Sequence, residues 1–196
     1  METPDADPRS SLTEALAAGA DLIYGGFVLD SGGPRVIQAM YDEGLFDEGI
    51  KFMGPDGIFS PALIDQVGDP AVLEGNTYYT FPGLLPSLLT NDQGVRFYTD
   101  YVAAHNEEPD PYSVYAYAAA QSVLAAFDTA SETELNRANV LQALADLEDY
   151  EGIIGAFGFD DNGDNTNAAF VGYDFADGNF ANPVPITPTM HEDCGG

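Results

Sequence analysis

Two short stretches combine glycine with a side chain able to hold a small ligand. Gly25-Gly26-Phe27 follows the apolar run Asp21-Leu22-Ile23-Tyr24, and Gly54-Pro55-Asp56-Gly57 follows Lys51-Phe52-Met53. Glycine lets a backbone come close to a bound molecule. Phe27 offers an apolar ring face and Asp56 a carboxylate, a combination suited to a small ligand with an ammonium group. If the two runs are parallel strands, both stretches stand at carboxyl ends, the edge where open α/β sheets take ligands. The bland alternative is a pair of ordinary strand-ending turns, since Asp-Gly is a common turn dipeptide.

Other chemistry is poorly represented. There are two histidines, His105 and His191. His105 closes a helical pattern, where a cation suits the helix dipole, and His191 lies in the tail. No Gly-x-Ser-x-Gly elbow, phosphate-cradling loop or His-Glu-x-x-His occurs, so neither an enzyme nor a cofactor is expected. Asp160-Asp161-Asn162-Gly163-Asp164 resembles a calcium loop only in composition. Its glycine follows Asn162 directly and no glutamate closes the loop, so a turn between strands is expected, and no metal site. Cys194, the single cysteine, has no partner for a disulfide or a metal cluster.

The elements that must position Phe27 and Asp56 are legible as a pattern. Ser11-Leu12-Thr13-Glu14 fits a capping box opening a short helix that ends near Gly19. Asp21–Tyr24 reads as a buried strand. Pro34 suits the first turn of a second helix with Val36, Ile37, Met40 and Tyr41 at three-four spacing. Lys51–Met53 is a strand. Ser60-Pro61 opens a third helix with Leu63, Ile64 and Val67 on one face. Asn76–Phe81, rich in Thr, Tyr and Phe, is a third strand. This alternation predicts parallel strands with right-handed crossovers.

After Pro82 the text turns helical. One helix covers roughly Asp92–His105 with Val95, Tyr98 and Val102 facing in. An alanine-dense helix covers Tyr112–Ala130. A third begins after Asn136 with Val140, Leu141, Leu144 and Leu147. Gly152–Phe159 is apolar and strand-like. Ala169–Phe175 and Phe180–Val184 flank Ala176-Asp177-Gly178-Asn179, a hairpin turn.

The chain has 196 residues, with 33 Asp+Glu against 5 Lys+Arg and a formal net charge of -28. Such a surface repels phosphates, which excludes nucleic acid as a partner and disfavours anionic membranes. It also repels itself at low ionic strength, which suggests a protein that works in high salt. No apolar run approaches a membrane span, and Met1–Asp5 carries no signal-peptide features.

Five segments, in order, resemble the leucine/isoleucine/valine-binding proteins of branched-chain amino-acid ABC transporters. They are Asp21–Phe27; Phe52–Gly57; Glu74-Gly75 before a Thr/Tyr strand; Tyr115-Ala116-Tyr117-Ala118-Ala119 with Gln121-Ser122; and Phe159–Asp164. The resemblance covers roughly Ser10 to Val184. It implies an α/β fold of periplasmic-binding-protein type 1, two Rossmann-like lobes that close on a ligand in their cleft.

Relative to that fold the chain looks incomplete, without the amino-terminal part of the first lobe. Residues 1–82 with 165–187 would form the carboxyl-side α/β lobe, 83–164 the helical contribution to the amino-side lobe, and 188–196 a tail. The family's signal peptide and lipoprotein cysteine have no counterpart here.

By the same resemblance, Phe27 stands where the family places an aromatic, commonly tyrosine, against the ligand. Asp56 stands where the family has a glutamate for the ligand ammonium. Gly25, Gly26 and Gly54 complete the ligand-binding set. Phenylalanine lacks the hydroxyl, and aspartate sets its carboxylate about 1.5 Å further back. The family's donors for the ligand carboxylate lie in the part without a counterpart. The resemblance implies an extracytoplasmic solute-binding component with a small-molecule ligand and an ABC permease as partners. A ligand-sensing regulator or receptor domain of the same fold, and a truncated chain that binds nothing, remain the alternatives.

Overall fold

A computed structural model describes residues 7–167 and 169–186. The chain begins with α1 (Arg9–Ala17), β1 (Leu22–Tyr24), α2 (Gly33–Asp42), β2 (Lys51–Gly54), α3 (Pro61–Val67) and β3 (Thr77–Phe81). It continues through α4 (Asp92–His105), α5 (Ser113–Ser131), α6 (Arg137–Ala145), β4 (Tyr150–Gly152) and β5 (Gly155–Phe157), and ends with β6 (Phe170–Ala176) and β7 (Asn179–Ile186). Two compact units result. One is Met1–Gly83 with Ala169–Gly196, the other Leu84–Ala168.

The first unit is built on one five-stranded sheet in the order β1-β2-β3-β6-β7. β1, β2 and β3 are parallel neighbours, as the helix–strand alternation predicts, with Ile23 opposite Phe52 and Phe52 opposite Thr77. β6 returns antiparallel against β3, and β7 folds back on β6. Their turn is Asp177-Gly178, both at positive φ (54° and 77°), a geometry that two-residue hairpins require. The Glu74 carboxylate accepts the backbone N–H groups of Asp177 (2.6 Å) and Gly178 (3.4 Å) and holds this turn at the start of β3.

The core lies on one face of the sheet. Ile37 and Met40 of α2 and Leu63 of α3 are fully buried, together with Phe52, Phe59, Tyr79, Phe81, Tyr173 and Phe175. The Phe59 ring sits 4.1–6.2 Å from the ring centroids of Phe180, Tyr173, Phe81 and Tyr79. The opposite face carries the row Tyr24, Met53, Tyr78 and Asp174.

Several expectations are corrected. β1 is not buried: it is an edge strand, and Tyr24, 59% exposed, lies on the face opposite the core. Ser11 and Glu14 do not form a capping box. α1 starts two residues before Ser11, after Pro8, because the Asp7 carboxylate accepts the Arg9 N–H at 3.1 Å and satisfies the first turn from outside. Tyr41 of α2 is exposed where Val36, Ile37 and Met40 are buried, since it lies at the margin of the apolar stripe.

Arg9 also bonds Glu43 through Nε at 2.8 Å and pairs with Asp7 and Asp42 at 3.3 and 3.5 Å, which fastens α1 to the end of α2. Ser60 caps α3 through Ala62, as the sequence implies, and Asp69 accepts the Ala71 N–H at 3.0 Å.

In the second unit Asn91 caps α4 by accepting the Gly94 N–H at 2.7 Å, and its amide donates to the Ile153 carbonyl at 2.8 Å. This fixes which face of α4 turns inward. Gly94 is buried and Phe97 and Tyr101 half-buried, while Val95, expected inside, is exposed. α5 buries Val114, Ala118, Ser122, Ala126 and Ala130 at four-residue spacing. Its other side leaves Tyr117, Leu124 and Phe127 exposed.

No residue of α6 is fully buried, and Leu141, expected on an apolar face, is 68% exposed. The apolar run Gly152–Phe159 is not one strand but a hairpin, β4 and β5, turning at Ile153-Ile154. Among the described residues no helix is long and apolar enough to cross a membrane.

Candidate functional site

The parallel register puts the ends of β1 and β2 side by side. Tyr24 pairs with Met53, and the Gly25 N–H continues the ladder to the Met53 carbonyl at 2.9 Å. Past that bond both chains leave the sheet at the same edge. The first makes a tight turn in which the Phe27 N–H donates to the Gly25 carbonyl at 2.8 Å. The second enters a 3-10 turn over Asp56–Ile58, closed by Ile58 N–H to Pro55 carbonyl (3.2 Å) and Phe59 N–H to Asp56 carbonyl (3.0 Å).

The five residues singled out in the sequence separate into two roles. Gly25 and Gly54 are buried. A Cβ on Gly25 would lie 2.7 Å from the Phe52 ring and 2.9 Å from Phe27 Cδ2, and one on Gly54 would strike Ile58. These two glycines shape the floor. Gly26 and Asp56 are exposed and Phe27 is half-buried, so these three face the surface at the sheet edge.

In the sequence Gly57 is indistinguishable from an ordinary turn glycine. A Cβ there would lie 2.8 Å from Val28 Cγ1 and 2.9 Å from the Phe27 carbonyl oxygen, so the two loops touch at this point. No pattern within Gly54–Gly57 carries that information, because the obstacle belongs to the other loop.

Beside the site an open concavity of about 440 Å³ is lined by residues that include Leu29, Asp30, Gly32, Pro34, Arg35 and Gln38. Another, of about 450 Å³, lies against α4 and α5 in the second unit. Neither is lined by Phe27 or Asp56.

The remaining candidates have structural surroundings. His105 ends α4 with its ring tilted by 41° against that of Tyr101, the centroids 4.4 Å apart. Asp160 accepts the backbone N–H groups of Asp164 (2.9 Å) and Asn162 (2.8 Å), and these bonds hold its carboxyl below the usual carboxylate range. The stretch is thus a turn organised around a carboxylate. Among the described residues no cluster of His, Cys, Asp or Glu is arranged to hold a metal ion. His191 and Cys194 lie outside the described residues.

The periplasmic binding protein family profile matches residues 1–178. An amino acid binding protein of Pseudomonas aeruginosa is 32% identical over 128 residues, 65% of this chain and 32% of that one. A Leu/Ile/Val-binding protein homolog of Brucella suis is 30% identical over 163 residues, 82% of this chain and 40% of that one. Among solved structures, a leucine binding protein from Thermotoga maritima superimposes with a TM-score of 0.77 at 21% identity, over 94% of this chain and 49% of that one. A solute binding protein from R. palustris in complex with benzoate gives 0.70 at 19% identity, over 96% and 50%. The chain therefore spans about half the length of these structures and less than half of the relatives it matches.

Proposed function

This chain belongs to the periplasmic binding protein family, and on that premise we propose that it carries one side of the binding site of an ABC importer's solute-binding component. The solute is an amino acid of the branched-chain type or a similar small ammonium-bearing molecule. The Asp56 carboxylate takes the ammonium, Phe27 covers the apolar side chain, Gly26 lets the ligand approach the backbone, and Gly25 and Gly54 support the floor beneath them. The chain binds and releases without chemistry of its own, acts outside the cytoplasm, and hands the solute to a permease.

The observation that carries this reading is the juxtaposition of the loops after parallel β1 and β2, one bearing an aromatic ring and the other an exposed carboxylate. Electrostatics choose between the ligand classes that the related structures hold. A carboxylate at the site and a net charge of -28 disfavour an anion such as benzoate and tolerate a zwitterion. On this reading residues 1–82 with 165–187 are the carboxyl-side lobe and the donors for the ligand carboxylate come from elsewhere, so affinity for the isolated chain is low.

The test is a titration of the 15N-labelled chain with L-leucine to millimolar concentration, with benzoate as the contrasting probe. Leucine should shift the amides of Gly26, Phe27 and Asp56, and Asp56→Ala should abolish the response. Shifts confined to other loops, or a response to benzoate equal to that of leucine, would overturn the assignment.

A further inference from the structure

We infer that Gly57 is a positioning residue: it clasps the loop bearing Phe27 to the loop bearing Asp56, so that ring and carboxylate are presented at one fixed spacing. The inference rests on the reading of Phe27 and Asp56 as ligand contacts, and adds a residue on which both depend.

The reason for glycine at position 57 is space, not conformation. Gly57 is absent from the glycines with positive φ, so an L side chain would meet no backbone strain there. What it would meet is main chain. The Phe27 carbonyl oxygen at 2.9 Å and Val28 Cα at 3.4 Å cannot rotate aside, and Val28 Cγ1 closes the third direction at 2.8 Å. The neighbouring floor glycines differ. A Cβ on Gly25 or Gly54 meets side chains, those of Phe52, Phe27 and Ile58.

The clasp is anchored on both sides. Ile58, next in the chain, is fully buried, and its Cγ2 lies 3.0 Å from where a Cβ of Gly33 would be. The same Gly33 position lies 3.3 Å from Phe27 Cβ, so Phe27 and Ile58 share one seat at the start of α2. Asp56 thus stands on a short arch between Pro55 and a buried isoleucine, pressed against the backbone that carries Phe27. Two ligand contacts locked together lose little freedom on binding, which is where preorganisation gains affinity.

Three variants of the full 196-residue chain test this: Gly57→Ala, Val28→Ala and the double variant. Val28 is 55% exposed, so its truncation alone should change little. Gly57→Ala should lower the melting temperature, and Val28→Ala should recover part of that loss in the double variant, because one of the obstructing atoms is gone. Strict additivity would overturn the clasp. If Gly57→Ala does not fold, the wild-type chain still decides. A nuclear Overhauser contact between the Gly57 α protons and a Val28 methyl supports the clasp, and its absence overturns it.

The positioning role is read separately, well below every melting temperature, by titration with L-leucine and with 4-methylpentanoate, which lacks the amino group. Gly57→Ala should weaken leucine by about tenfold and the analogue less. An unchanged leucine affinity, or an unchanged ratio where the analogue binds, would overturn the role. If the wild-type chain binds neither probe, the proposed function fails and the positioning role with it, while the melting and contact experiments still report on the clasp.

Discussion

The Tyr173 hydroxyl donates a buried hydrogen bond of 3.0 Å to the carbonyl of Gly83. Tyr173 lies on β6 and Gly83 closes the first segment of the unit, just past β3, so the bond ties the outgoing chain to the returning one. Its register partner across the ladder is Tyr79, also fully buried, whose hydroxyl has no hydrogen-bond partner among the described residues. Burial holds that phenol well above its ordinary range. The Thr77 hydroxyl opposes the shift, but its own hydrogen goes to the Leu73 carbonyl at 3.0 Å.

One chemical change on these two neighbours should therefore have unequal effects. Tyr173→Phe leaves the Gly83 carbonyl without this donor and should cost about 1–3 kcal/mol of stability. Equilibrium urea unfolding measures it, and a change below about 0.5 kcal/mol would count against the bond.

Tyr79→Phe removes a buried polar group that makes no bond to the described residues. It should leave stability unchanged or raise it, and a loss comparable to that of Tyr173→Phe would mean that the hydroxyl is satisfied in solution.

Phe27→Ala should weaken leucine binding by about 1–3 kcal/mol through lost apolar contact. Since the ring is half-buried, calorimetric melting run in parallel separates the loss of a ligand contact from loosening of the loop.

The turn at Asp160 should respond to acid. Its carboxyl is held below the ordinary value by the Asp164 and Asn162 amides, so the fold prefers the charged form. The stabilisation is complete above the unfolded-state pKa, about 3.9, and is lost as pH falls through the lower folded value. Amide exchange of Asn162 and Asp164 should accelerate in that window. Asp160→Ala should show fast exchange at every pH, and Asp160→Asn, which keeps an acceptor oxygen without the charge, should lose the pH dependence and exchange at a rate between those of the wild type and Asp160→Ala.

Salt should act in two directions. Added salt screens the repulsion of a -28 chain and should raise the melting temperature of the wild type. The Arg9 contacts with Asp7, Asp42 and Glu43 are exposed and screened by the same ions. The deficit of Arg9→Ala relative to wild type should thus be largest at low salt and shrink as salt rises. A deficit that grows with salt would show that Arg9 acts through its aliphatic stem.

Much of the first unit was readable from punctuation. Pro34, Ser60-Pro61 and Asp177-Gly178 mark boundaries whose chemistry is local, and the structure places a helix or a turn at each. The local pattern misleads where the deciding contact is distant or the signal is a missing side chain. The inward face of α4 follows from Gly94, which has no hydrophobicity to register, and the edge position of β1 depends on which strands neighbour it. At the candidate site Phe27 and Asp56 stood out because glycines frame them at strand ends. Gly57 did not, because its constraint comes from Phe27 and Val28.

The Glu74 carboxylate under the Asp177-Gly178 turn gives the acid excess a second meaning. Asp7, Asp69, Asp110 and Asp160 do the same for the amides of Arg9, Ala71, Tyr112 and Asn162. At these places a carboxylate stands in for a missing main-chain carbonyl, and the turn uses its acceptor oxygen, which the charge strengthens. A less acidic redesign of this protein would therefore have to treat its acids as two populations. Those that only repel one another can become lysine, while those that stitch turns tolerate only the amide, which surrenders the charge and keeps the acceptor.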